Sequence, residues 1–247
     1  MSLEWVVLPD FQVPFHDEGF LDELVEYIKW AKPNRGLLHV GDEIDQPQTS
    51  RYCKGKAGEF EGTLQEHIDM TRDVMARFRA AIPRTREFHV SRSNHTDRLE
   101  KYVKDYAPAI AGLREVQTEV LLGYDKLGII YHRQPWEFAP GWMLAHGDEG
   151  SLSRIAGRTA ANLAAKWGKS VVCGHTHRLG LIPHSVGVNG ELTTYWGVEV
   201  GHAMDVRKAS YLKAGSADWQ QGFGLVFRNG DRVTVQAVPR EGLGGFR

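Results

Sequence analysis

Five short groups of cation-binding side chains stand in order along this 247-residue chain: Asp10-Phe11-Gln12, Gly41-Asp42-Glu43-Ile44-Asp45, Ser93-Asn94-His95, His146-Gly147 and Gly174-His175-Thr176-His177. Together they offer carboxylate, amide and imidazole groups, an N/O mixture that suits borderline divalent metals such as Mn2+, Fe and Zn2+. A divalent cation needs several such groups brought to one point from distant parts of a chain. Five groups in this order imply a metal site assembled by the fold.

Each group follows a stretch that reads as a β-strand. Glu4–Leu8 is a short apolar run stopped by Pro9-Asp10, and Gly36–Val40 delivers Gly41-Asp42 at its tip. Glu87–Ser91 ends at Ser93-Asn94-His95, Gly141–Ala145 at His146, and Ser170–Cys173 at Gly174-His175. Between the first three strands the apolar residues recur at helical spacing: Phe20, Leu24, Ile28 and Ala31, then Leu64, Ile68, Phe78 and Ile82. The result is a βαβαβ pattern, in which ligands gather at the carboxyl ends of strands. Further on, helices are expected over 97–106 and over Leu152–Trp167. Strands are expected over 127–132 and near 178–183, 192–199, 223–228 and 232–238, with turns at Asn189-Gly190 and Asn229-Gly230. Residues 107–135 carry the weakest pattern. No repeat or linker divides the chain, so one domain over 1–247 is expected, with a mobile Gly-rich tail near 241–247.

The chain is long enough for one large α/β core. Its net charge of −1 creates no global field for nucleic acid or membrane. Charge is unevenly spread: residues 1–50 carry ten acidic and three basic side chains, and residues 72–104 nine basic and four acidic. The acidic excess includes the cation-binding carboxylates; the basic excess flanks Asn94-His95 and reads equally as a phosphate-facing patch or as solvated helix surface. Cys53 and Cys173 fit no metal spacing and form no disulfide framework, which suits a reducing cytosol. No charged leader with an apolar core opens the chain, and no apolar run matches a bilayer, so a cytoplasmic protein without membrane contact is expected.

The ordered groups resemble the calcineurin-like metallophosphoesterase superfamily, whose pattern runs Asp-x-His, Gly-Asp-x-x-Asp, Gly-Asn-His, His, Gly-His-x-His. The likeness spans Asp10 to His177, with two departures: Gln12 where the family has His, and Ser93 where it has Gly. It implies two facing mixed β-sheets flanked by helices, an αββα sandwich. It also implies two divalent metal ions, Mn2+ favoured, with Fe, Zn2+, Ni2+ or Mg2+ as alternatives. Asp10, Gln12, Asp42 and His177 would surround the first ion, and Asp42, Asn94, His146 and His175 the second. The shared Asp42 would hold the ions about 3.5–4 Å apart. A metal-bridging hydroxide would attack phosphorus, His95 would protonate the leaving oxygen or stabilise phosphoryl charge, and Asp45 would orient His95. Arg98 could reach a phosphate oxygen as a bidentate donor, or be an exposed helix charge. Gln12 would bind metal through its oxygen or only hydrogen-bond a metal-bound water.

The activity implied is a metal-dependent phosphoesterase, most directly a phosphodiesterase acting on cyclic nucleotides or nucleic-acid ends. Phosphomonoester and nucleotide pyrophosphate hydrolysis are the alternatives, and a non-catalytic scaffold of the same fold is the reading from a different class. Gln46-Pro47 after Asp45 and Thr96 after His95 depart from the protein-phosphatase form of the pattern. Of the other histidines, His16, His39, His67, His89, His132, His184 and His202 are expected to be packed or hydrogen-bonded. Tyr52 and Trp219, in polar Gly-containing segments, are the better candidates for stacking on a base.

Overall fold

Strand β1 (Ser2–Leu8) buries both of its faces, and that dictates layers on either side of it. Val6 and Leu8 point into a cluster with Phe20, Leu24 and Ile28 of α1 (Glu18–Ala31) and Met75 and Phe78 of α2 (Leu64–Ala80). Trp5 and Val7 point the other way, into a cluster with Phe138, Leu144, Val172 and Val198 of a second sheet. In this computed structural model, which describes residues 1–51, 53–55, 59, 62–208 and 217–245, the layers are therefore helix, sheet, sheet, helix.

The first sheet has the order β11-β10-β1-β2-β3-β4, with β2 at Gly36–His39, β3 at Glu87–Ser91, β4 at Ile130–His132, β10 at Gly222–Asn229 and β11 at Arg232–Pro239. β1 to β4 are parallel neighbours, and β10 and β11 add antiparallel strands beyond β1. The second sheet has the order β5-β6-β7-β9-β8, with β5 at Trp136–Ala139, β6 at Trp142–Leu144, β7 at Ser170–Cys173, β8 at Leu179–Val188 and β9 at Glu191–Val200. Here β6, β7 and β9 are parallel, and β5 and β8 are antiparallel edges. These are the two facing mixed sheets flanked by helices that the family resemblance implies.

The helix starts have local causes. Asp17 accepts the Phe20 amide at the head of α1, and Thr63 with Glu66 forms a reciprocal capping box at the head of α2. Helix α3 covers Arg98–Tyr106, and the poorly patterned stretch after it holds only two four-residue helices, α4 (Thr118–Leu121) and α5 (Tyr124–Leu127). The helix expected over Leu152–Trp167 begins only at Arg158, so α6 is Arg158–Trp167. Leu152 and Ile155, expected on its apolar side, are exposed. The reason lies elsewhere in the chain: the buried Glu199 carboxylate on β9 accepts the Thr159 and Ala160 amides at 2.9 and 3.3 Å, which fixes the first turn there. The expected mobile tail is also different. Arg240–Gly245 forms a 3-10 helix, and Leu243 is buried in the core; residues 246 and 247 lie outside the described residues. No helix among the described residues is long and apolar enough to cross a membrane.

Helix α6 lies against β9 so closely that a Cβ on Gly197 would fall 2.1 Å from the Ala161 backbone nitrogen. A methyl there must push a helix, not a side chain. Gly197→Ala is expected to cost about 1–3 kcal/mol of stability in urea unfolding, the range for an overpacked core; an unchanged midpoint would contradict this packing.

Candidate metal centre

Six parallel strands end at one rim. In the first sheet β1, β2 and β3 carry Asp10, Asp42 and Asn94 just past their carboxyl ends; in the second, β6, β7 and β9 carry His146, His175 and His202. A parallel bridge between Asp10 and His202 joins the two rims, with the Ala203 amide donating to the Asp10 carbonyl at 2.7 Å. The seam between the sheets is thus closed by backbone at the point where the polar side chains meet.

Two sets of ligand atoms converge there closely enough to share an ion: Asp42, His146 and His175, and Asp10, Asp42 and His177. Asp42 belongs to both. The remaining expected ligands adjoin them. Asn94 Oδ1 lies 2.9 Å from His146 Nε2, which is also 3.1 Å from His175 Nδ1 and 3.3 Å from Asp42 Oδ2. Gln12 lies between Asp42 and His177, its Nε2 donating to Asp42 Oδ2 at 2.7 Å and standing 3.4 Å from His177 Nε2. His146 Nδ1 donates to the Val40 carbonyl at 2.9 Å, which turns Nε2 toward the cluster. An imidazole anchored on a carbonyl in this way is the usual arrangement of a metal-ligating histidine.

Gln12, Asp42, His175 and His177 all have positive φ, between 55° and 67°, a costly conformation for non-glycine residues at about 1–3 kcal/mol each. Neighbouring hydrogen bonds hold them. Gln12 N–H donates to the Asp42 carbonyl at 2.8 Å, and His175 N–H to Asp10 Oδ2 at 2.7 Å. Asp42 N–H donates to Ser93 Oγ at 2.9 Å. Ser93, the departure from the Gly-Asn-His pattern, therefore serves as the anchor of the Asp42 loop. Gly174 cannot be replaced in kind: a Cβ there would lie 2.1 Å from Asp10 Oδ1.

The electrostatics explain why a cation fits. Burial drives the Asp10 carboxyl well above its ordinary range; the His146 charge opposes the rise, and the charges of Asp42 and Glu43 add to it. Burial acts the same way on Asp42, but the charges of His146 and His95 outweigh it and hold Asp42 well below. His146, which burial alone would lower, is raised to about 10, chiefly by Asp42 and then by Asp10. His146 thus offsets the charge of the carboxylates as a buried imidazolium. Asp10 Oδ1 and Gln12 Oε1 are buried with no hydrogen-bond partner among the described residues, two acceptors that a cation would satisfy. Glu43, buried beside them and raised by that burial to about 7, is occupied by the Tyr124 and Thr96 hydroxyls at 2.6 and 3.0 Å.

His95, Asp45 and Arg98 form a trio at the edge of this centre. His95 N–H donates to Asp42 Oδ1 at 3.2 Å, which ties its backbone to the shared carboxylate. Its Nδ1 stands 2.5 Å from Asp45 Oδ1, a close charge contact whose N–H is not well aligned with the oxygen. Burial would raise Asp45, but the contact with His95 and the Arg98 guanidinium hold it low. Arg98 Nη1 also meets the Asp45 carboxylate, and its Nη2 lies 3.0 Å from His95 Nε2. Arg98 is therefore turned inward onto the other two members of the trio and is not exposed on the helix.

Two residues that matter here are not singled out in the sequence. Glu199 accepts the Thr176 hydroxyl at 2.6 Å and so links the His175-Thr176-His177 turn to the head of α6. His202, expected to be a packed histidine, is buried 5.4 Å from the His177 ring, centre to centre. Gly201-His202 after a strand repeats the form of Gly174-His175, and that repetition is the signal available. Trp219 meets the His177 ring edge-to-face with centres 4.3 Å apart. Tyr52, the other stacking candidate, lies outside the described residues.

No family model matches the chain. The Gene 54 protein of Mycobacterium phage D29 is 34% identical over 243 residues, covering 97% of this chain and 94% of its own length. The Gene 54 protein of Mycobacterium phage L5 is 33% identical over 244 residues, with the same coverage of both. Among solved structures, Vps29 of Entamoeba histolytica complexed with Zn2+ is 13% identical, covers 94% of this chain and 89% of that one, and has a TM-score of 0.45. A single mutant of Vps29 from the same organism is 14% identical, covers 95% and 98%, and has a TM-score of 0.41.

If a cation takes the place of the His146 proton, binding should release that proton at any pH below about 10. Apparent Mn2+ affinity is then expected to rise about tenfold per pH unit between pH 7 and 9, as calorimetry in buffers of different ionisation enthalpy would show. A flat profile would contradict the exchange.

Because Asp42 belongs to both ligand sets, Asp42→Asn is expected to remove most metal binding at either set, read as metal content after desalting. One fully retained ion would show the two sets to be independent.

Proposed function

This chain belongs to the family of the mycobacteriophage Gene 54 proteins, and from its two ligand sets sharing Asp42 we propose that it is a metal-dependent phosphoesterase. The observation that carries the reading is that shared carboxylate, with the same residues falling in the order of the calcineurin-like metallophosphoesterase pattern. Bound there, a pair of divalent cations, Mn2+ favoured, would supply an ionised water near neutral pH and neutralise phosphate oxygens.

The protein's own groups do the rest. Asp10 and Asp42 would hold the positive charge, and the Val40 carbonyl, by accepting from Nδ1, turns His146 Nε2 toward it. Asp45 keeps His95 Nδ1 engaged, so any proton handed to a leaving oxygen comes from Nε2. In the resting arrangement Arg98 stands against Nε2. While the guanidinium occupies that position Nε2 cannot reach a leaving oxygen, so His95 can act as an acid only once Arg98 turns away. An arriving phosphate, as a bidentate anion, is the natural group to draw it off. Arg98 would then serve both as phosphate donor and as the guard of the His95 proton.

Phosphodiesters, as cyclic nucleotides or nucleic-acid ends, are the favoured substrates; phosphomonoesters and nucleotide pyrophosphates are the alternatives. Hydrolysis of bis-p-nitrophenyl phosphate with and without Mn2+ tests the activity. Bound metal without turnover would favour a scaffold of the same fold.

His95→Ala is expected to lower turnover by about 10²–10⁴-fold, the range for a general acid, with metal content unchanged. The loss should be larger for alkoxide than for p-nitrophenolate leaving groups, and Asp45→Asn should give a smaller loss of the same kind. Equal losses across leaving groups would assign His95 to the phosphoryl oxygens, and loss of metal would make it a ligand.

A further inference from the structure

We propose that the cavity on the far side of His177 receives the base of a nucleotide substrate, a reading that rests on the phosphoesterase activity proposed above. The cavity has a volume of about 440 Å³, within the range of small-molecule pockets. Its walls include Trp219, His202, Met204, Gln220, Gln221 and Pro239. His177 stands between this cavity and the centre: its Nε2 faces Asp10 at 3.4 Å, and its ring meets Trp219 and His202. A phosphate at the centre and a group in the cavity are thus one imidazole apart.

The wall chemistry selects the occupant. Trp219 is half-buried and packed on Phe15 and Met204, a fixed aromatic surface. Most of the polar side chains around it are already engaged. Gln221 donates to Asp17 and to the Met204 carbonyl and accepts from Arg240, at 2.8 to 3.1 Å. Gln220 accepts the Leu179 amide at 3.2 Å and donates to the Asp218 carbonyl at 3.0 Å. Asp17 is paired with Arg240, and Asp205 with Arg207. His202 differs. Its Nδ1 accepts the Met204 amide at 2.9 Å, which puts the proton on Nε2, and that N–H meets no acceptor among the described residues although the residue is only 1% exposed.

Among the described residues the cavity thus offers the Trp219 ring and the buried His202 Nε2–H, with the exposed Arg207 and Glu241 also in its walls. Its complement is a planar ring that stacks and carries an in-plane acceptor, which is the chemistry of a nucleobase. An alkyl ester has no ring to lie on Trp219, a sugar packs there only through C–H groups and has no in-plane sp2 acceptor, and a phosphorylated serine or threonine has neither a ring nor an in-plane acceptor.

The test compares two ligands with the same phosphate and sugar, adenosine 5′-monophosphate and ribose 5-phosphate, titrated by calorimetry into the Mn2+-loaded full chain. The native protein is expected to bind the nucleotide about tenfold or more tightly than ribose 5-phosphate, the scale of one base–aromatic stack. Trp219→Ala should bring the two within about twofold by weakening the nucleotide alone, and Trp219→Phe should restore most of the preference. The native comparison needs no variant, so a Trp219→Ala protein that fails to fold leaves it intact. Equal affinities in the native protein, absent binding of both, or equal loss of both ligands in Trp219→Ala would overturn the proposal. Bis-p-nitrophenyl phosphate turnover on the same samples separates the two readings. Turnover without base preference refutes the base site alone, and base preference without turnover refutes the phosphoesterase activity and leaves the base site standing.

Discussion

Two carboxylates, Asp10 and Asp42, are buried together where the parallel strands of two sheets end, and most of the surrounding structure answers to that fact. An ionised carboxyl taken from water into protein is costly unless it is paired or coordinates a metal, and two side by side repel as well. The chain offsets part of this with a single imidazolium at His146 and with backbone amides such as that of His175. Asp10 Oδ1 and Gln12 Oε1 have no hydrogen-bond partner among the described residues, so the burial that makes these acceptors costly favours a divalent ion there.

The scaffold around the carboxylates is correspondingly stiff. Each of the four positive-φ residues sits in a loop, and the partners that hold those loops come from the opposite rim or from the next loop. Ser93 holds the Asp42 loop, the Asp10 side chain holds the His175 amide, and Glu199 holds Thr176 between His175 and His177. Glu199 reaches from β9 to the first turn of α6 as well, so the helix packed on the second sheet and the turn carrying two candidate ligands share one buried carboxylate. Position of the ligands is thus a property of the whole rim and not of any one motif.

The strand ends, the helix faces and the metal-ligand groups were legible in the sequence because they depend on local patterns, whereas the two facing sheets followed only from the resemblance to a known family. Apolar runs followed by Asp, Asn or Gly-His mark strand ends, and the 3.6-residue spacing from Phe20 to Ile28 marks a helix face. What escaped depends on contacts between distant segments. Nothing in Leu152–Trp167 itself says that its helix starts at Arg158, because the group that fixes the start is Glu199, some forty residues on. Ser93 looked like a departure from a family pattern until its hydroxyl was seen to receive the Asp42 amide. Arg98 read as a free helix charge or a phosphate ligand, and only the fold brings it against Asp45 and His95. The Gly-rich end read as loose because glycine is permissive, yet Leu243 within it is captured by the core. His202 was grouped with ordinary packed histidines because a lone histidine after a strand carries little information until its neighbours are known.

The account turns on Asp42 serving two ions at once. Electron paramagnetic resonance of the Mn2+-reconstituted protein addresses this directly, since two Mn2+ ions held on one carboxylate about 3.5–4 Å apart are spin-coupled. The expected result is the broad multiline spectrum of an exchange-coupled pair, present in the native protein and absent in Asp42→Asn. A simple six-line spectrum of isolated Mn2+ at full loading of the native protein would contradict the shared carboxylate, and with it the two-ion centre.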